Sequence, residues 1–135
     1  MRKIGMIIIH CTATPAGRNV SVEEIDSWHR RRGFKGIGYH YVIGLDGSIG
    51  LGRELELPGA HTLHFNRHSV GVAYVGGLDA KGRPADTRTP AQRKALVRLL
   101  TFLRGEFPEA RILGHNDLAA KACPCFNAAE EYKDI

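Results

Sequence analysis

Hydrophobic positions along the chain repeat with two different periods. The run from Ile4 to His10 is nearly unbroken and rich in isoleucine, which predicts a strand buried on both faces. The segment SVEEIDSWHRRRG, residues 21–33, has helical spacing instead. Ser21 stands at its N-cap with Glu24 three residues on, the pattern of a capping box; Val20 and Ile25 are placed as a staple, and Gly33 ends the helix. Residues 39–45 and 48–53 alternate about Asp46-Gly47 and predict a hairpin. Residues 58–68 read as a polar loop, Ser69 to Val75 as another apolar strand, and residues 76–88 as loop. Thr89, Pro90 and Gln92 then supply an N-cap, a proline at the first helical position and a capping glutamine. Leu96, Leu99, Leu100 and Leu103 follow at helical spacing until Phe107-Pro108, and Arg111 to Gly114 is a short last strand. Strands and helices mixed in this order predict an α/β fold, a central mixed β-sheet flanked by helices.

Composition narrows the class. The 135 residues suggest a single domain, 1–135, and 43% hydrophobic with 24% charged residues is ordinary for a globular protein. No apolar run approaches the roughly 18 residues of a membrane span. The N-terminal MRKIGMIIIHCTAT has an apolar run too brief for a signal-peptide core, so synthesis without a secretion signal and a cytoplasmic location are the expectation. Three cysteines, Cys11, Cys123 and Cys125, argue against a disulfide framework and for reduced thiols. The formal net charge of +5 suits a polyanion, whether nucleic acid, an anionic membrane or a bacterial cell wall, without choosing among them, and a solvated basic face gives the same number. Arg30, Arg31 and Arg32 read first as such a face.

The reactive side chains crowd into GHNDLAAKACPC, residues 114–125. His115 and Cys123 are both zinc-ligand types, and their spacing is not that of a zinc finger. His10, at the end of the first strand, is placed to reach the same sheet edge as His115. Three protein ligands with one open position would make a catalytic metal site. Read on spacing alone, two alternatives stay open: a histidine at a strand end also packs as a hydrogen-bonded core residue, and Cys123 as a small hydrophobe. Cys125 competes for the thiolate role. Cys11 neighbours His10 on a strand and should face the opposite side, into the core.

The motifs IIIHCTAT (7–14), EEIDSWHRRRGFKGIGYHYVIGLDG (23–47), GAH with SVGVAYVGG (59–77), TPAQ (89–92) and GHNDLAAKACPCF (114–126) together resemble the type 2 N-acetylmuramoyl-L-alanine amidases. That family includes small phage lysozymes and shares its fold with eukaryotic peptidoglycan recognition proteins. The resemblance implies a zinc ion held by His10, His115 and Cys123, and prefers Cys123 to Cys125. It implies catalytic roles for Tyr39, in the GYH motif, and for Lys121, two residues before the cysteine. It places His61 and Asn66 along the substrate groove. Asn116, Cys125 and Asn127 depart from the residues common in the family at those positions.

The function this resemblance implies is hydrolysis of the amide between N-acetylmuramic acid and L-alanine in peptidoglycan. A phage or prophage endolysin, held in the cytoplasm and acting on the wall after release, is the expected setting. A cytosolic muropeptide-recycling amidase and a non-catalytic peptidoglycan-binding module are the alternatives; retention of the cysteine ligand argues against the module. No nucleic-acid partner is expected, and a monomer is the favoured state.

Overall fold

The computed structural model describes residues 1–135, and its main elements follow from local features of the sequence. Strand β1 (Met6–Cys11) is the isoleucine run, displaced from the expected Ile4–His10 because residues 4 and 5 precede the pairing and Cys11 continues it. It pairs in parallel with β5 (Ser69–Tyr74) on one side and β7 (Arg111–Gly114) on the other. Beyond β5 lie β3 (Tyr41–Ile43), parallel to it, and β4 (Ile49–Leu51), antiparallel to β3 across the Asp46-Gly47 turn. The sheet thus has the order β4-β3-β5-β1-β7 and is mixed, as the pattern predicts. The hairpin strands are shorter than 39–45 and 48–53, which leaves Tyr39 and His40 outside the ladder.

The period of two along β1 divides its side chains between layers. Ile7, Ile9 and Cys11 join Val70, Val72 and Tyr74 beneath helix α2 (Pro90–Glu106), whose Leu96, Leu99, Leu100 and Leu103 close the main core. Each fully buried aliphatic side chain there contributes about 1.5–3 kcal/mol. Ile8 and His10 point to the opposite face. Helix α1 (Val22–Arg31) closes a smaller cluster in which Val20 and Ile25 meet, as the staple predicts, with Ile37, Val42 and Val75.

The two helix starts differ. At α2 the capping box closes in both directions: Gln92 N–H donates to Thr89 Oγ1 (3.0 Å), and Thr89 N–H donates to Gln92 Oε1 (2.9 Å). At α1 only half of it forms. Ser21 Oγ accepts from Glu24 N–H, but the Glu24 carboxylate turns out to Arg18 at 2.6 Å. The stretch 76–88, expected as loop, contains β6 (Gly77–Leu78), which pairs with β2 (Thr14–Pro15) in a separate two-stranded ribbon. A last short helix, α3 (Ala128–Glu131), packs beside β7. No helix is long and apolar enough to cross a membrane.

Candidate metal centre

Register places the two histidines together. Ile9 on β1 pairs with Gly114 on β7, so the residue that follows each is a histidine. The rings of His10 and His115 stand with centroids 4.7 Å apart. Past Gly114 the chain leaves the sheet in a 3-10 turn, His115–Asp117, closed by Gly114 N–H donating to Asp117 Oδ2 (2.8 Å). Asp117 is thus a turn cap. The chain then returns across the end of β1, where Cys11 N–H donates to Cys123 Sγ at 3.2 Å. The peptide bond Cys123–Pro124 is cis.

His10, His115 and Cys123 each bring one ligand atom, and these lie within 4.8 Å of one another. The pair His10 Nδ1 and Cys123 Sγ is 3.7 Å apart. Two ligands on one tetrahedral zinc, with bonds of about 2.1 and 2.3 Å, would be separated by about 3.6 Å, so this pair already stands at ligand spacing and the chemistry of the three donors suits such an ion. Protonation states agree with the fit. His10 is 1% exposed, and its pKa is held well below the usual imidazole value by burial and by the neighbouring His61 and His115. Burial, then the nearby Lys121 ammonium, lowers His115. Cys123 is also lowered, chiefly by its contact with the Cys11 thiol and against the effect of its own burial. Neutral imidazoles and a thiol biased toward thiolate are the forms that bind metal.

The other two cysteines are not members of the triad. Burial pushes the Cys125 thiol up to about 11, and its Sγ donates to Gly77 O (3.4 Å) and lies 4.0 Å from Cys11 Sγ. Cys11 belongs to the main core, as its place on the strand predicts.

A cavity of about 600 Å³ opens over the triad, and all seven residues singled out from the sequence line it: His10, Tyr39, His61, Asn66, His115, Lys121 and Cys123. Tyr39 stacks beside His10 with centroids 5.2 Å apart. Burial, reinforced by the Cys123 and Cys11 thiols, raises its pKa and keeps the phenol protonated. The amide oxygen of Asn66 accepts from His61 N–H (3.0 Å) and Thr62 N–H (2.9 Å), so that side chain also holds its own loop together. His61 has a second contact beyond the cavity wall, a 2.8 Å hydrogen bond between its Nδ1 and His10 Nε2.

The cavity includes side chains to which the sequence pattern gave no role. His29 accepts Gly38 N–H through Nδ1 (2.8 Å) and stacks on Tyr39 (5.3 Å), which fixes the phenol from behind. Arg32, Phe34 and Leu63 form the rim; Arg32 lies over the Phe34 ring at 5.0 Å, whereas Arg30 pairs with Asp26 on the helix surface. Only a count of which α1 residues fall past the last turn could have separated Arg32 from the two arginines before it. No acidic side chain lines the cavity.

Comparison with known proteins identifies the family. The N-acetylmuramoyl-L-alanine amidase family matches residues 1–126. An endolysin of Enterobacteria phage K11 is 44% identical over 126 residues, 93% of this chain and 83% of that one. Among solved structures, the N-acetylmuramoyl-L-alanine amidase LysC from Clostridium intestinale superposes with a TM-score of 0.82 at 30% identity, covering 96% of this chain and 82% of that one. Drosophila PGRP-LB superposes with a TM-score of 0.81 at 25% identity, covering 99% and 82%. A match over nearly the whole chain, on a fold that brings two histidines and a cysteine to one cavity, leaves one assignment: the chain belongs to the N-acetylmuramoyl-L-alanine amidase family.

Proposed function

We propose that the protein is a zinc amidase that hydrolyses the amide joining N-acetylmuramic acid to L-alanine in peptidoglycan, and that it serves as a phage or prophage endolysin. The observation that carries this reading is the convergence of His10, His115 and Cys123 at the floor of an open cavity. The endolysin and amidase relatives support the substrate class.

When bound at these three residues, zinc supplies Lewis-acid and water-activating chemistry. Lowered pKa values favour the neutral imidazoles of His10 and His115, the form that would bind the metal. The Tyr39 phenol, kept protonated and fixed by His29, donates a hydrogen bond toward the charge that develops on the scissile carbonyl oxygen. Lys121, which also lines the cavity, offsets that same charge with its ammonium. Cations on an acid-free cavity wall also favour a substrate that carries carboxylates.

Muropeptide release from purified peptidoglycan, by protein of quantified zinc content, tests the reading with Cys123→Ser alongside. One zinc per chain and amide cleavage should be lost together in the variant. Zinc binding without cleavage would make the protein a wall-binding module. Wild-type protein that binds no metal would sink the zinc mechanism. For location, we propose that the enzyme accumulates in the cytoplasm and meets the wall only after release; fractionation of expressing cells before and after lysis tests this.

A further inference from the structure

The loop between β4 and β5 folds over the face of the sheet that carries Ile8 and His10, and two of its side chains touch His10. His61 Nδ1 lies 2.8 Å from His10 Nε2, and Thr62 Oγ1 lies 3.2 Å from the same atom. His10 Nδ1 faces the other way, toward Cys123 Sγ. A ring nitrogen that binds a metal must offer its lone pair, so the other nitrogen of a neutral imidazole carries the proton. We infer that His61 is a positioning residue for the metal centre: its Nδ1 accepts the Nε2–H of His10 and fixes the tautomer whose Nδ1 lone pair faces the ion. This rests on the zinc-site reading proposed above.

The surroundings of His61 hold it in the accepting role. Asn66 Oδ1 binds the backbone N–H groups of both His61 and Thr62, which sets the loop that presents the ring. A side chain at Gly71 would place its Cβ within 2.6 Å of that ring, so the imidazole lies directly on the β5 backbone. An imidazole that accepts at Nδ1 carries its own proton at Nε2. Ser69 Oγ, 3.3 Å from His61 Nε2, is placed to accept that proton. The result is a line of neutral groups, His10 to His61 to Ser69, in the place where many metal sites use a carboxylate. Thr62 Oγ1, 2.9 Å from His61 Nδ1, braces the same junction. A groove-wall histidine needs none of these contacts to His10.

Zinc affinity is measured on the full chain by competition with a chromophoric chelator, for wild type, His61→Ala, His61→Asn and His61→Gln. Loss of such an orienting partner typically weakens metal binding by about 10–100-fold, and His61→Ala should fall in that range. Asparagine carries an acceptor oxygen near the Nδ1 position and should recover most of the affinity; glutamine reaches toward Nε2 and should not. Long-range proton–nitrogen NMR on the zinc-loaded wild type should find both His10 and His61 protonated at Nε2. Equal zinc affinity in wild type and His61→Ala, or a proton on His61 Nδ1, overturns the inference and leaves His61 as a wall residue. If wild type binds no zinc, or His10→Ala binds it equally well, the zinc-site reading fails and the inference with it. Should circular dichroism show His61→Ala unfolded, the asparagine–glutamine comparison and the NMR spectrum decide.

Discussion

The two sides of the metal site are held by different forces. His10 stands at the end of a central parallel strand, 1% exposed, with Ile7, Ile8 and Ile9 before it wholly buried. Sheet pairing on both sides and the apolar core determine where its Cα lies. The segment 115–126 has no ladder. Besides its own turn hydrogen bonds and the packing of Cys123, Cys125 and Phe126 on the core, it is tied to the sheet by single polar contacts: Asp117 to Gly114 N–H, Cys11 N–H to Cys123 Sγ, and the Tyr74 hydroxyl to Pro124 O at 2.6 Å. Just beyond it, the fully buried Arg88 guanidinium lies 3.4 Å from the centre of the Phe126 ring and binds Asp86 and Glu131. Burial of a strand is spread over many atoms, so one change is absorbed. A loop held by a few hydrogen bonds transmits each loss to the cysteine it carries.

Removing a ligand should erase this contrast if, as proposed, both sides serve one ion. His10→Ala and Cys123→Ser should each lose bound zinc and reduce kcat/KM by about 10³-fold or more, equivalent to about 4 kcal/mol of barrier. Metal analysis and muropeptide release measure both; a single variant that keeps full activity would show that its side of the site is dispensable. Tyr39→Phe and Lys121→Met should leave zinc stoichiometry intact and reduce kcat by about 10²-fold each, the range for one group that stabilises developing charge. Zinc loss in either variant would move that residue from the chemistry to the scaffold.

The same contrast explains what was legible in the sequence. The isoleucine run, the Thr89 capping box and the leucines of α2 are periodic or local, and they appear where the pattern places them. The approach of His10 to His115 was legible because one ends and the other follows a short apolar strand, and parallel register does the rest. The Arg88 clamp was not, since it joins residues 86, 88, 126, 131 and 132 through contacts that no period announces. The half-formed box at Ser21 failed for a related reason: Arg18, outside the helix, competes for the glutamate. The bond from His61 to His10 spans 51 residues and depends on how one loop folds over the sheet.

Arg88 is where the loop side should break most readily without loss of a ligand. Arg88→Met removes a buried guanidinium, its ion pairs to two partly exposed carboxylates and its stacking on Phe126, at a cost of about 3 kcal/mol. For a domain of this size that lowers the melting midpoint by about 10 °C. The acid limb should change as well. Burial works against ionisation of Asp86, yet Arg88 outweighs it and holds that carboxyl below its ordinary value; Glu131 is lowered first by its hydrogen bond to Arg88. Carboxyls depressed in the folded state contribute stability that is fully present above their unfolded values and lost as pH falls through the folded ones. Wild-type stability should therefore decline below about pH 4.5, and Arg88→Met should decline less steeply there. Parallel acid limbs in melts across that range would refute the clamp's electrostatic role.

The smallest expected effect makes the sharpest comparison. Tyr74→Phe deletes only the hydroxyl that donates to Pro124 O, and should cost about 1 kcal/mol. Ile9→Val removes one methylene from the α2 face of β1 and should cost about the same. The two variants thus match in stability while loosening opposite sides of the site. If the cysteine loop depends on single contacts, Tyr74→Phe should weaken zinc binding several-fold in the chelator competition, because Pro124 adjoins Cys123. Ile9→Val should leave zinc affinity unchanged, since the sheet still fixes His10. Equal zinc affinities at equal stability loss would mean that the ligand set itself, rather than the loop's polar contacts, holds Cys123 in place.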